Sequence, residues 1–88
     1  MKTLFPLKFK DEPNVSAIEI MEKNVKELEI LCKSANRNGI QVVLYSPDVI
    51  VEPKNVYELS VMLAEDMVLK YNENNKIVRH YDECKKLA

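Results

Sequence analysis

The stretch 35-ANRNGIQVVLYSPDVIVEP-53 decides how this chain is read. It contains the only glycine of the 88 residues and then runs almost without charge to Pro53. Gly39, after Asn36, Arg37 and Asn38, suits the left-handed position that ends many helices. Ile40, Val42 and Leu44 alternate with Gln41, Val43 and Tyr45, and both sets are largely apolar, as in a strand interior to its sheet. Pro47 ends that strand. Leaving Val49, Ile50 and Val51 in a solvated loop would forfeit up to ~1.5 to 3 kcal/mol for each. They are therefore expected as a second short strand, paired or buried. Proline forbids the positive φ of the tightest hairpin turns, so a looser bend is expected between the two. Ser46, Pro47 and Asp48 could instead face a ligand at the strand's end. A ligand loop in a doubly wound sheet typically carries glycine, however, and here the glycine precedes the strand. The segment reads as fold construction.

Upstream, residues 4–10 (LFPLKFK) alternate as a half-buried strand, and Pro6 places it at an edge or pairs it mainly on one side. Ser16 and Glu19 form a capping box, so a helix starts there. Ile18, Met21, Val25, Leu28, Cys32 and Ala35 recur at helical spacing and predict its buried stripe. Downstream, Asn55 and Glu58 repeat the capping pattern. The second helix carries two apolar stripes, including Tyr57, Val61, Met62, Val68 and Leu69, and so must be covered on more than one side. Residues 77–81 read as a fourth strand before a short helical or frayed end.

The resulting order of strand, helix, strand, strand, helix, strand predicts an α+β fold of the split-βαβ, ferredoxin-like kind. Two helices would lie on one face of a short, mainly antiparallel sheet. A three-helix protein with a small sheet is the alternative. One domain is expected over residues 1–88, since two cores would each be too small to sustain themselves.

The composition, 47% apolar and 31% charged, is that of a globular chain, with neither the bias of a disordered segment nor an apolar run of membrane-spanning length. Lysines interrupt MKTLFPLKFK, so it does not resemble a signal peptide, and a cytoplasmic protein without membrane partners is expected. Thirteen basic and fourteen acidic residues give a net charge of −1, which argues against a protein that coats nucleic acid. Residues 70–88 carry five basic and three acidic side chains, a mildly basic tail.

Candidate chemistry is sparse. His80, Asp82 and Cys84, with Cys32, offer four metal-ligand types, but no C-x-x-C or H-E-x-x-H spacing supports a centre, and no metal or cofactor is expected. Cys32 with His80 as nucleophile and base conflicts with Cys32 lying on the helix's buried stripe. Glu65 and Asp66, adjacent on a helix, diverge by about 100° and share no site. One glycine cannot build a phosphate cradle. What remains is apolar surface. The expectation is a non-enzymatic interaction module, self-associating or docking on a protein through Tyr45, Tyr57, Val61, Met62, Val68 and Leu69. The alternative is an RNA-binding domain using Lys8, Lys10, Tyr45 and Arg79 on the open sheet face. A cysteine- or metal-dependent enzyme ranks third.

Overall fold

The computed structural model describes residues 1–46 and 49–79. Strand β1 is Lys2–Pro6, followed by helix α1 (Ala17–Met21), a π-helical turn (Glu22–Lys26) and α2 (Glu27–Arg37), which form one long helical connection. Strand β2 (Gln41–Tyr45), helix α3 (Val56–Tyr71) and strand β3 (Lys76–Val78) complete the order. The three strands lie in the order β1-β2-β3 and both pairings are parallel. Lys2 faces Gln41 and Pro6 faces Tyr45, while Val43 faces Lys76 and Tyr45 faces Val78.

The expected antiparallel, ferredoxin-like sheet is therefore wrong, and so is the three-helix alternative. The fault lies at residues 49–51, which form no strand. Val49 is 65% exposed and Val51 90% exposed, and only Ile50 packs on the core. Without that strand, β2 leads straight into α3 and the order becomes βαβαβ. Parallel neighbours need a crossover connection, usually a helix, and each pair here has one. Crossovers of one hand that step in one direction leave both helical connections on one face of the sheet.

That face holds the core. Val42 and Leu44 point into it against Leu28 and Cys32 of α2 and Val61, Ala64 and Val68 of α3. Leu28, Leu44, Val61 and Val68 are fully buried, at about 1.5 to 3 kcal/mol of transfer free energy each before the entropy of ordering is subtracted. Alternation sends Leu4, Val43, Tyr45 and Val78 to the opposite face. In β1 the odd residues pair with β2: Gln41 donates to the Met1 carbonyl at 3.1 Å and Leu7 donates to the Tyr45 carbonyl at 3.0 Å. Lys2, Leu4 and Pro6 turn their backbone groups to the outer side, so the missing N–H of Pro6 costs the ladder nothing. β1 is the sheet's edge among the described residues.

The first helical connection is buried along the expected stripe from Leu28 onward, but before it along a different one. Ile20, Asn24, Leu28, Cys32 and Ala35 are buried, whereas Ile18 is 79% exposed and Met21 and Val25 are half-buried. The π-turn, closed by the Glu27 amide donating to the Glu22 carbonyl, accompanies this change of face. Gly39 takes the left-handed conformation at φ 67 and ends α2 as its position predicted. Below it, Asn75 accepts from the Val42 amide and donates to the Val68 carbonyl, both at 2.8 Å. One side chain thereby ties the start of β2 to the last turns of α3. Strand β3 starts one residue earlier, and ends earlier, than the strand expected over 77–81. Residues 80 and 81, and with them His80, Asp82 and Cys84, fall outside the described residues.

Candidate functional site at the carboxyl edge of the sheet

Because the strands are parallel, their carboxyl ends gather at one edge. Leu7 donates to the Tyr45 carbonyl, and Ser46 donates to the Val78 carbonyl at 2.8 Å, so the three ends are held level. Beyond them lies a cavity of about 590 Å³ lined by Lys10, Asp11, Pro13, Val49, Ile50, Asn55, Tyr57 and Glu58. In open α/β sheets, ligands bind in the crevice outside the carboxyl ends of the strands.

The loop after β1 supplies one wall and is held under strain. Phe9 sits at φ 74 and Asp11 at φ 60, both in the left-handed region that non-glycine residues rarely occupy. Such outliers cost about 1 to 3 kcal/mol each and persist only where the surroundings impose them. Asn24 imposes this one. Its Oδ1 accepts from the Lys8 amide at 2.8 Å, and its Nδ2 donates to the Lys8 carbonyl at 2.9 Å and to Ser60 Oγ at 3.1 Å. Ser60 Oγ donates in turn to the Tyr57 carbonyl at 2.6 Å. A fully buried amide thus joins the strained loop, the π-turn and the first turns of α3. π-turns recur at functional sites because the extra residue re-aims a side chain, and here the turn carries that amide.

The N-terminus of α3 supplies the opposite wall. Asn55 Oδ1 accepts from the Glu58 amide at 2.8 Å, and Glu58 Oε1 accepts from the Lys54 amide at 3.0 Å, the reciprocal cap that the sequence predicted. The α1 terminus is capped likewise, with Ser16 Oγ accepting from the Glu19 amide at 3.2 Å.

The residues singled out in the sequence separate into groups. Tyr57, Val61 and Val68 are core residues at 9%, 0% and 0% exposure, because α3 packs against both the sheet and the first helical connection; they are not an open contact surface. Met62 and Tyr45 are half-buried and Leu69 is exposed. Lys8, Lys10, Tyr45 and Arg79 lie at or just past the ends of the three strands rather than on an open sheet face. Arg79 Nε lies 3.1 Å from Glu65 Oε1. Cys32 is 1% exposed, and burial pushes its thiol up to about 11, which removes it as a nucleophile. Among the described residues no group of three or more His, Cys, Asp or Glu could hold a metal ion. Sequence reasoning missed Asn24 and Asp11. The signal for Asn24 was its place in Ile20-Asn24-Leu28-Cys32, a run of i, i+4 steps in which one polar residue occupies a core position.

A parallel sheet with a helix between successive strands and a cavity past their carboxyl ends defines the Rossmann-like class of α/β proteins. Residues 9–83, most of the chain, match the family described as polysaccharide biosynthesis protein, and the chain belongs to that family. Among solved structures it is similar to the ADP-L-glycero-D-manno-heptose-6-epimerase of Helicobacter pylori, with a TM-score of 0.70 and 19% identity. The similarity covers 89% of this chain and 30% of the epimerase. No curated protein matches the sequence. Family membership overturns the reading as a non-enzymatic interaction module and its RNA-binding alternative: the chain belongs with polysaccharide biosynthesis proteins.

Folds of this class bind dinucleotides by resting the pyrophosphate on a glycine-rich turn at a helix N-terminus. The residues here do not fit that group. The turns from β1 to α1 and from β2 to α3 contain no glycine, and Gly39 lies at the opposite edge of the sheet.

Proposed function

We propose that this chain is the substrate-facing portion of a sugar-processing enzyme fold, with the carboxyl-edge cavity as its ligand site. The observation that carries this reading is the convergence of the loops after β1 and β2, the first of them strained, and of a capped helix N-terminus on one cavity past the strand ends. Membership of the polysaccharide biosynthesis family supports a sugar as the ligand, and the epimerase whose fold it shares is named for a nucleotide-linked sugar. Titration of the ¹⁵N-labelled chain with UDP-glucose and ADP-glucose tests it. Shifts should concentrate on the amides of Asp11, Asn55 and Glu58. Shifts gathered instead on Gly39 and residues 72–76, at the amino edge, would refute the assignment.

No helix among the described residues is long and apolar enough to cross a membrane.

A further inference from the structure

The misfit between this carboxyl edge and a dinucleotide goes further than missing glycines. Phosphate binds at helix N-termini because free amides and the positive end of the helix dipole face it. Here Ser16 Oγ and Asn55 Oδ1 already take amides of the two first turns, and Glu58 Oε1 takes the Lys54 amide. Glu19 and Glu58 also place a carboxylate in each first turn, where a phosphate would stand. Asp11 adds a further negative group to the cavity wall, against one lysine, Lys10. An anion would therefore meet net repulsion, with one amide of each first turn already engaged by its cap.

The same cavity has a second character. Asp11, Asn55 and Glu58 offer acceptors and an amide donor, while Pro13, Val49 and Ile50 offer apolar surface in the same cavity. A sugar ring has that mixed character itself, with hydroxyls around its rim and C–H groups on its faces. We infer that this chain holds no dinucleotide of its own and that its cavity takes the uncharged, hydroxyl-rich part of a ligand. This inference rests on the cavity being the ligand site proposed above.

Three probes test it: NADH, ADP and ADP-glucose, each added to the full chain. NADH fluorescence should stay unchanged, and ADP should move no amide of residues 16–19 or 55–58. ADP-glucose should shift the Asp11, Asn55 and Glu58 amides, and saturation transfer should be several-fold stronger to its hexose protons than to its adenine protons. Asp11→Asn, which keeps a side chain tolerant of positive φ, should weaken that response about tenfold, the size of one charge-assisted hydrogen bond. If ADP or NADH binds at either helix N-terminus, or adenine protons dominate the transfer, the inference is overturned while the ligand site stands. If ADP-glucose moves none of the cavity amides, both the inference and the site assignment fall.

Discussion

Removing the Asn24 amide should loosen the candidate site and the fold together. Asn24→Ala deletes three hydrogen bonds of 2.8, 2.9 and 3.1 Å. At about 1 kcal/mol net for each, the loss is ~3 kcal/mol. Lys8 is exposed, so its amide and carbonyl recover some water contact, whereas Ser60 is fully buried but keeps its own donation to Tyr57. For a chain of this length, total stability is on the order of 4 to 13 kcal/mol, so the loss is a large share of it. The near-isosteric Asn24→Asp gives a sharper reading. Its carboxylate still accepts from the Lys8 amide but now sets a second oxygen against the Lys8 carbonyl, and in this buried position the folded-state pKa rises above the unfolded value of about 3.9. The protonated form restores a donor to that carbonyl. A raised folded pKa contributes stability that is fully present below about pH 3.9 and lost as pH rises through the folded value. The deficit of Asn24→Asp relative to the unmodified chain should therefore widen between pH 4 and pH 7. Urea denaturation followed by circular dichroism at both pH values measures it. A loss below ~1 kcal/mol in Asn24→Ala, or a deficit in Asn24→Asp that does not change with pH, would show that the amide clamps nothing.

Gly39→Ala meets no atom within 4 Å, so its cost, about 1 kcal/mol in the same assay, comes only from the left-handed backbone at φ 67. Gly39→Asn should cost less, and equal losses would point to a steric origin. Cys32, its thiol pushed up to about 11 by burial, should resist iodoacetamide at pH 8 in the folded chain and react fully in urea; rapid labelling without denaturant would contradict the core placement. Lys23 Nζ lies 2.9 Å from Glu27 Oε2, and this hydrogen bond holds the Glu27 carboxyl below the ordinary glutamate value. Its contribution is present above the unfolded glutamate pKa and fades as pH falls through the folded one. NMR titration of Glu27 in Lys23→Ala should show an upward move, and an unchanged midpoint would exclude the pair as the cause.

Local structure was legible wherever a residue type has one strong conformational use. Both capping boxes, the helix end at Gly39 and the inward alternation of Val42 and Leu44 all follow from such uses. Topology was lost at Val49, Ile50 and Val51, because branched apolar residues in a loop carry the same propensity as in a strand. Only the third dimension shows that Ile50 alone is needed in the core. One spurious strand reverses the direction of the next pairing, and with it the layout of the whole sheet. The site was hidden by the same error, since loops at the ends of antiparallel strands scatter to both edges while those of parallel strands converge. Asn24 was hidden for a different reason: a polar residue on an amphipathic helix reads as solvent-facing until its hydrogen-bond partners, 16 and 36 residues away, are known.

The alternation in β1 bears on how the sheet resists growth by stray chains. A bare strand edge is a template for adding another strand, and proteins blunt such edges with proline and lysine. Along Lys2–Pro6 the outward-turned positions are Lys2, Leu4 and Pro6, so that side presents a charged residue at one end and a residue with no donor at the other. Lys2 and Leu4 keep the two outward N–H groups. Pro6→Thr would add a third outward donor without disturbing the inner ladder, turning a blunted margin into one able to seed aggregation.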